Sequence, residues 1–172
     1  MKAVKIVFAA VAMTLAMGAN AQLKLSEGKM AVNVNVGSYG PSTAGFGLGV
    51  GYQADFYTND WCTLAWDVLH FEWDAPFNSP GDADALNFKT GLRAFSPSFA
   101  NDKVRTYTNL DMGYSLGLTK VDGDVNTSSA FGLTWGIGLQ VNKAWSLGYS
   151  LLYTKNSNGS GKSHFATIGY TF

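Results

Sequence analysis

Cysteine is nearly missing from this chain. Cys62 is the sole example, which excludes an intramolecular disulfide and any multi-cysteine metal site. Charge is scarce too, at 14% of residues against about 25% in ordinary soluble proteins. The 12 Lys and Arg balance the 12 Asp and Glu, so the basic excess that marks a nucleic-acid binder is absent. Long apolar helical runs are also lacking. The uncharged stretch from Met30 to Ala54 contains Pro41 and Gly37, Gly40, Gly45, Gly47, Gly49 and Gly51, and Pro and Gly break or weaken helices. The chain is instead rich in glycine, with 20 residues, and in aromatics, at 14%. That composition excludes a disordered chain and fits an ordinary water-soluble domain poorly.

Residues 1–21 read as a secretory signal. Lys2 and Lys5 precede an uncharged, mostly apolar stretch from Ile6 to Ala19, and Ala19-Asn20-Ala21 supplies the small-x-small cleavage pattern. The expected organisation is a signal peptide over 1–21 and one domain over 22–172.

Beyond the signal the hydrophobic period is two. Met30, Val32, Val34 and Val36 alternate with Ala31, Asn33 and Asn35. Phe46, Leu48, Val50 and Tyr52 alternate with glycines. The same pattern runs through Leu64–Val68, Leu86–Arg93, Asn109–Leu118, Phe131–Gln140, Trp145–Leu151 and Ala166–Phe172. These segments predict eight strands, separated by turns near Gly37–Thr43, Thr58–Asp60, Asp74–Asp84, Ser96–Asp102, Lys120–Thr127, Asn142–Lys143 and Lys155–Gly161. In the third segment the apolar phase jumps from Leu64, Trp66 and Val68 to Leu69, Phe71 and Trp73. A bulge near Val68–Leu69 would restore register.

One face of these strands is Leu, Val, Phe, Trp and Tyr. The other is small or polar and carries Asp67, Lys89, Arg93, Arg105 and Asp111. A closed barrel with lipid outside accounts for both faces: large apolar side chains meet acyl chains, and inward glycines make room for long charged side chains. Closure also satisfies every backbone donor and acceptor, as lipid requires. The expected fold is therefore all-β, an eight-stranded antiparallel up-and-down transmembrane β-barrel. The alternative, a soluble lipocalin-like lipid binder, needs a strongly polar outer face that so few charges cannot supply. Tyr39, Tyr57, Trp61, Phe71, Trp73, Phe95, Trp145, Tyr153, Tyr170 and Phe172 lie near strand ends, the place of interfacial aromatic girdles.

A signal sequence, eight alternating strands and a terminal phenylalanine together resemble the small bacterial outer-membrane barrels, the OmpX-like proteins and the transmembrane domain of OmpA-like proteins. No peptidoglycan-binding domain is expected after Phe172, which makes the OmpX-like comparison the nearer. The resemblance implies a Gram-negative outer-membrane location with both termini in the periplasm. It makes Ile168, Tyr170 and Phe172 the alternating positions of an insertion signal for the barrel-assembly machinery; Thr167 stands where that signal usually has glycine.

Inside so narrow a barrel Asp67, Lys89, Arg93, Arg105 and Asp111 should pair with one another, with Asp55 and Glu72 nearer strand ends, because an unpaired buried charge is costly. Such an interior leaves room for side chains rather than a wide channel. For catalysis, the candidates at an outer rim are His70 and His164, near Glu72 and Ser163, but Ser163 and His164 are adjacent and point to opposite faces. Asp82 and Asp84, then Asp122-Gly123-Asp124, match no EF-hand spacing. Cys62 is expected near a strand end on the apolar face. No cofactor, metal or nucleic acid is expected; the expected partners are outer-membrane lipid, the assembly machinery and a surface partner reached by the loops or by the edge of the long fifth strand. The expected function is a non-enzymatic structural or surface-interaction barrel. Its alternatives are a narrow channel for small solutes or ions and a lipid A-modifying enzyme.

Overall fold

Alternation becomes eight antiparallel strands: β1 (Lys29–Tyr39), β2 (Thr43–Thr58), β3 (Thr63–Pro76), β4 (Asp82–Phe95), β5 (Val104–Val121), β6 (Asp124–Val141), β7 (Trp145–Asn156) and β8 (Gly159–Thr171). The structure is a computed structural model that describes residues 28–39, 43–77, 82–121, 124–157 and 159–172. The expected signal peptide, with Asp122 and Gly123, lies outside the described residues. Each strand pairs with its sequence neighbours, and β1 pairs with β8 from Ala31↔Thr171 to Tyr39↔Ser163 to close the barrel. The Phe172 backbone N–H extends that seam by donating to the Met30 carbonyl at 2.8 Å. No edge remains around the wall, which is what a sheet in lipid needs.

Up-and-down order puts the start of β1, the end of β8 and the β2–β3, β4–β5 and β6–β7 turns at one end, here the terminal end. The β1–β2, β3–β4, β5–β6 and β7–β8 connections lie at the far end. The β6–β7 turn falls at the expected place, with Asn142 and Lys143 both in the left-handed region at φ 52° and 58°. Cys62 lies in the β2–β3 turn rather than on a strand face, and its N–H donates to Asn59 Oδ1 at 2.8 Å.

The burial pattern inverts that of a soluble protein. Val32, Leu48, Leu110, Trp135, Ile137 and Leu147 face outwards and are exposed, whereas Asn35, Gln53, Asp67, Glu72, Asn87, Lys89 and Asp111 are buried inside. This is the reverse of the soluble-binder alternative and the arrangement of a barrel with lipid outside. The strands have 11 to 18 residues, more than the roughly 9–11 that span a membrane, so the longest, β5 and β6, project at the far end.

The predicted bulge is present. Tyr52 faces Leu69 while Gln53 faces Asp67, and on the other side Asp67 faces Gly91 while His70 faces Lys89. Two β3 residues therefore oppose Thr90 alone. The Thr90 hydroxyl donates to the Asp67 carbonyl at 3.0 Å and accepts from Trp66 Nε1 at 3.0 Å. It thus satisfies a carbonyl beside the broken ladder, on the outer wall where no water can. A second irregularity falls between Asp55 and Tyr57, with no counterpart in the alternation.

Two expectations, one of side-chain direction and one of strand bounds, are corrected here. Tyr39 and Phe95 do not join an outer girdle; Phe95 is buried, and Tyr39 packs inside against Phe165 with ring centroids 5.0 Å apart. Both sit on the small-and-polar phase of their strands, and that phase, not nearness to a strand end, sets their direction. Asp74 and Asp84 do not lie in a turn: β3 continues to Pro76 and β4 begins at Asp82.

Candidate functional site: the barrel lumen

Three layers fill the interior. At the terminal end Ala65, Phe95 and Tyr107 form a buried apolar cluster. The Arg105 guanidinium lies 3.6 Å from the Phe95 ring centroid, and its Nε donates to Gln140 Oε1 at 2.7 Å. Arg105 was expected to pair with an acid; it stacks on an aromatic and bonds an amide instead. β5 starts only at Val104, which keeps Arg105 at the barrel mouth, away from Asp67 and Asp111.

The middle layer holds the charges. Arg93 engages Asp67, with Nη2 at 3.0 Å and Nε at 3.2 Å from Oδ2. Lys89 engages Glu72 at 3.2 Å. Glu72 is not a strand-end residue but the buried partner of a buried lysine. Desolvating these ions is costly, and close pairing offsets that cost only if both members stay in place. Asp111 joins neither pair; its Oδ2 accepts from Asn109 Nδ2 at 2.5 Å. His70, a candidate for the lipid-facing rim, points inwards, with Nε2 3.6 Å from Glu72 Oε2. The bulge reverses the phase of β3 beyond Leu69, so His70, Glu72 and Asp74 all enter the lumen.

The far layer is Tyr39, Phe165 and Leu152, the last two buried. Asp74 anchors it, accepting from the Tyr39 hydroxyl at 2.8 Å and from Asn87 Nδ2 at 2.6 Å. Residue order alone does not mark Asp74, which opens the segment that reads as a turn, or Leu152 and Phe165, which sit off the apolar phase of their strands.

Glycine makes room for the interior. A Cβ on Gly47 would overlap Asp74, one on Gly91 would overlap Asp111, and one on Gly148 would overlap the Tyr107 hydroxyl. This close approach is why glycine gathers on one face of strands it otherwise weakens.

On the outer wall His164 meets the Tyr149 hydroxyl through Nδ1. Its direct cross-strand partner on β1 is Ser38, not the adjacent Ser163. Ile168 and Phe172 are also exposed on that wall, and Tyr170 stacks edge-to-face on Trp145 at 4.9 Å. Among the described residues no group of three His, Cys, Asp or Glu side chains converges to hold a metal ion.

Compared by sequence, the chain matches no family model and no curated protein. Compared by structure, it is similar to small eight-stranded outer-membrane barrels. Neisserial surface protein A aligns at TM-score 0.59 and 14% identity, covering 84% of this chain and 95% of that one. The outer membrane enzyme PagL aligns at 0.61 and 18%, covering 83% and 98%. Ail, the attachment invasion locus protein of Yersinia pestis, aligns at 0.51 and 18%, covering 84% and 97%. The fold is thus that of the outer-membrane barrels which the terminal phenylalanine and the alternation resemble, and it serves both an enzyme and surface proteins.

Proposed function

We propose that this chain is an integral outer-membrane barrel whose far end faces outside and docks extended polypeptide segments. The observation that carries this reading is the free edge of β6. That strand pairs with β5 from Asp124 onwards, but with β7 only from Phe131 onwards. Among the described residues no strand pairs with Asp124–Ala130 on the β7 side. β4 backs the projection, with Asp82 facing Lys120. The edge therefore belongs to β6, where the sequence pointed to the fifth strand. The run Asp124-Val125-Asn126-Thr127-Ser128-Ser129-Ala130 has neither the Pro nor the Lys that commonly guards a sheet edge. A row of unpaired backbone groups on a rigid support suits strand addition.

On this reading the terminal end is periplasmic, residues 1–21 direct export, and Ile168, Tyr170 and Phe172 present the insertion signal to the assembly machinery. The lumen is structural, which agrees with aromatic clusters at both of its ends. The reading is non-enzymatic. One observation favours the enzymatic alternative, the grouping of Ser38, His164 and Tyr149 on the lipid-facing wall, but among the described residues no carboxylate lies against His164 to orient it as a base.

The test is to pan a random peptide library on the detergent-purified barrel. Binders with alternating side chains are expected, lost when both Thr127→Pro and Ser128→Pro are introduced, since neighbouring N–H groups point to opposite edges. The heat-dependent gel shift of the barrel should survive both changes. A library that yields no binder, or binders indifferent to the prolines, would overturn the docking role.

A further inference from the structure

At the far end of β7 and β8, outward-facing charge gathers with one sign. Lys155 continues the phase of Trp145, Leu147 and Tyr149, and Lys162 that of Ile168. Each of these residues is exposed. Across the β7–β8 ladder Lys155 faces Ser160 and Lys162 faces Tyr153. The two lysines are therefore diagonal neighbours on one face, about 7–8 Å apart at their roots. On its other side Lys155 faces Phe131. None of these partners is an acid. By contrast, Lys29 lies 3.3 Å from Asp55, and Lys120 stands opposite Asp82. Among the described residues, neither Lys155 nor Lys162 has a carboxylate within ion-pair distance.

Their height on the wall is as informative as their charge. Trp145, stacked on Tyr170, marks the aromatic girdle of the terminal side. The run from Trp145 to Lys155 is about 33 Å long at roughly 3.3 Å per residue. Tilted by the usual 35–45° or so, it rises about 25 Å, the height of the apolar band of an outer-membrane barrel. Lys155 thus stands where the far headgroups begin. Lys162 starts one step lower, and its long stem carries the ammonium up to the same level. Beneath the pair the wall is apolar, with Leu133, Trp135, Leu147 and Ile168 all exposed. A lipid can therefore lay its acyl chains on that surface while its headgroup meets the two ammonium groups.

The charge selects the headgroup. A phosphate monoester carries about −1.5 to −2 at neutral pH and offers three strong acceptor oxygens. It matches two ammonium groups, whereas a phosphodiester carries a single charge and leaves one lysine uncompensated. We propose that Lys155 and Lys162 bind the phosphate monoester headgroup of an outer-leaflet lipid, whose acyl chains lie on the wall below. The site rests on the far end facing outside, and not on strand addition at β6.

The test uses the whole chain purified from membranes in detergent. Native mass spectrometry counts the lipid retained from micelles doped with lipid A, with the same lipid A stripped of its phosphates, or with phosphatidylglycerol, a phosphodiester. Retention of intact lipid A should exceed both others. Lys155→Gln and Lys162→Gln should each lower it several-fold. Lys155→Arg should keep it, and Lys103→Gln at the terminal end should leave it unchanged. The heat-dependent gel shift should persist in every variant. Equal retention of the three lipids, an equal loss in Lys103→Gln, or full displacement of lipid A by inorganic phosphate would each overturn the site. The leaflet is read separately. A bulky polyethylene glycol maleimide added to intact cells should spare Cys62, in the β2–β3 turn, and should label it once the envelope is broken. Labelling before breakage would overturn the outward orientation of the far end, and the outer-leaflet assignment with it. A spared Cys62 with lost lipid selectivity would strike the lysine site alone.

Discussion

Asp67 and His70 line the same chamber although an odd number of positions separates them along one strand. In a regular strand such a pair points to opposite faces. The two residues share the lumen because Val68 and Leu69 together oppose the single residue Thr90. Everything beyond that point in β3 is reversed: Phe71 and Trp73 turn to lipid, and His70, Glu72 and Asp74 turn inwards.

The bulge has one external support, and removing it should be measurable. In Thr90→Val the Asp67 carbonyl and the Trp66 indole N–H both lose their partner on the lipid face. The barrel should lose about 1–3 kcal/mol of unfolding free energy in urea titrations from lipid vesicles, and Thr90→Ser should recover most of it. An unchanged Thr90→Val barrel would mean that the hydroxyl is not what stabilises the bulge.

Lys89 and Glu72 should behave as a unit. Lys89→Met leaves Glu72 buried without its cation, and the expected loss is roughly 3–5 kcal/mol. Adding Glu72→Gln removes the stranded charge and should restore most of the stability. Equal losses in the single and double variants, read by the same titration, would show that the two side chains are not energetically coupled.

The aromatic clusters bear on conductance. With Phe95 and Tyr107 at one end and Tyr39 and Phe165 at the other, the unmodified barrel should pass no resolved current in a planar bilayer. Combining Tyr107→Ala with Phe165→Ala should open measurable steps. Unitary current through the unmodified chain would favour the channel reading.

The wall residues bear on catalysis. Expressing the chain in a Gram-negative host should leave the mass of lipid A unchanged, and Ser38→Ala and His164→Ala should alter nothing. A mass change that disappears in Ser38→Ala would instead make that serine a nucleophile and the Tyr149-bound His164 its base.

Much of this architecture is local information. A period of two reports directly which side chains share a face, so the strands, their inward glycines and the outward Leu, Val and Trp are legible from residue types alone. Even the bulge shows, because the apolar phase slips between Val68 and Leu69. The turn at Asn142–Lys143 is equally local.

What residue order does not contain is the pairing between strands. The Ser38–His164 juxtaposition exists only because β1 meets β8. The partner of Lys89 is decided by which inward side chains the register brings to one height, and that made Glu72, not a strand-end acid, the buried counter-ion. The reach of β3 moved Asp74 from a presumed turn into the lumen, and the late start of β5 left Arg105 at the mouth with Phe95 and Gln140. The cavity lined by Asp67, Glu72, Lys89, Arg93 and Asp111 belongs to this second class entirely. Alternation along a strand depends on neighbours in sequence, whereas an interior cavity depends on side chains from many strands meeting across space, and only the closed barrel specifies that meeting.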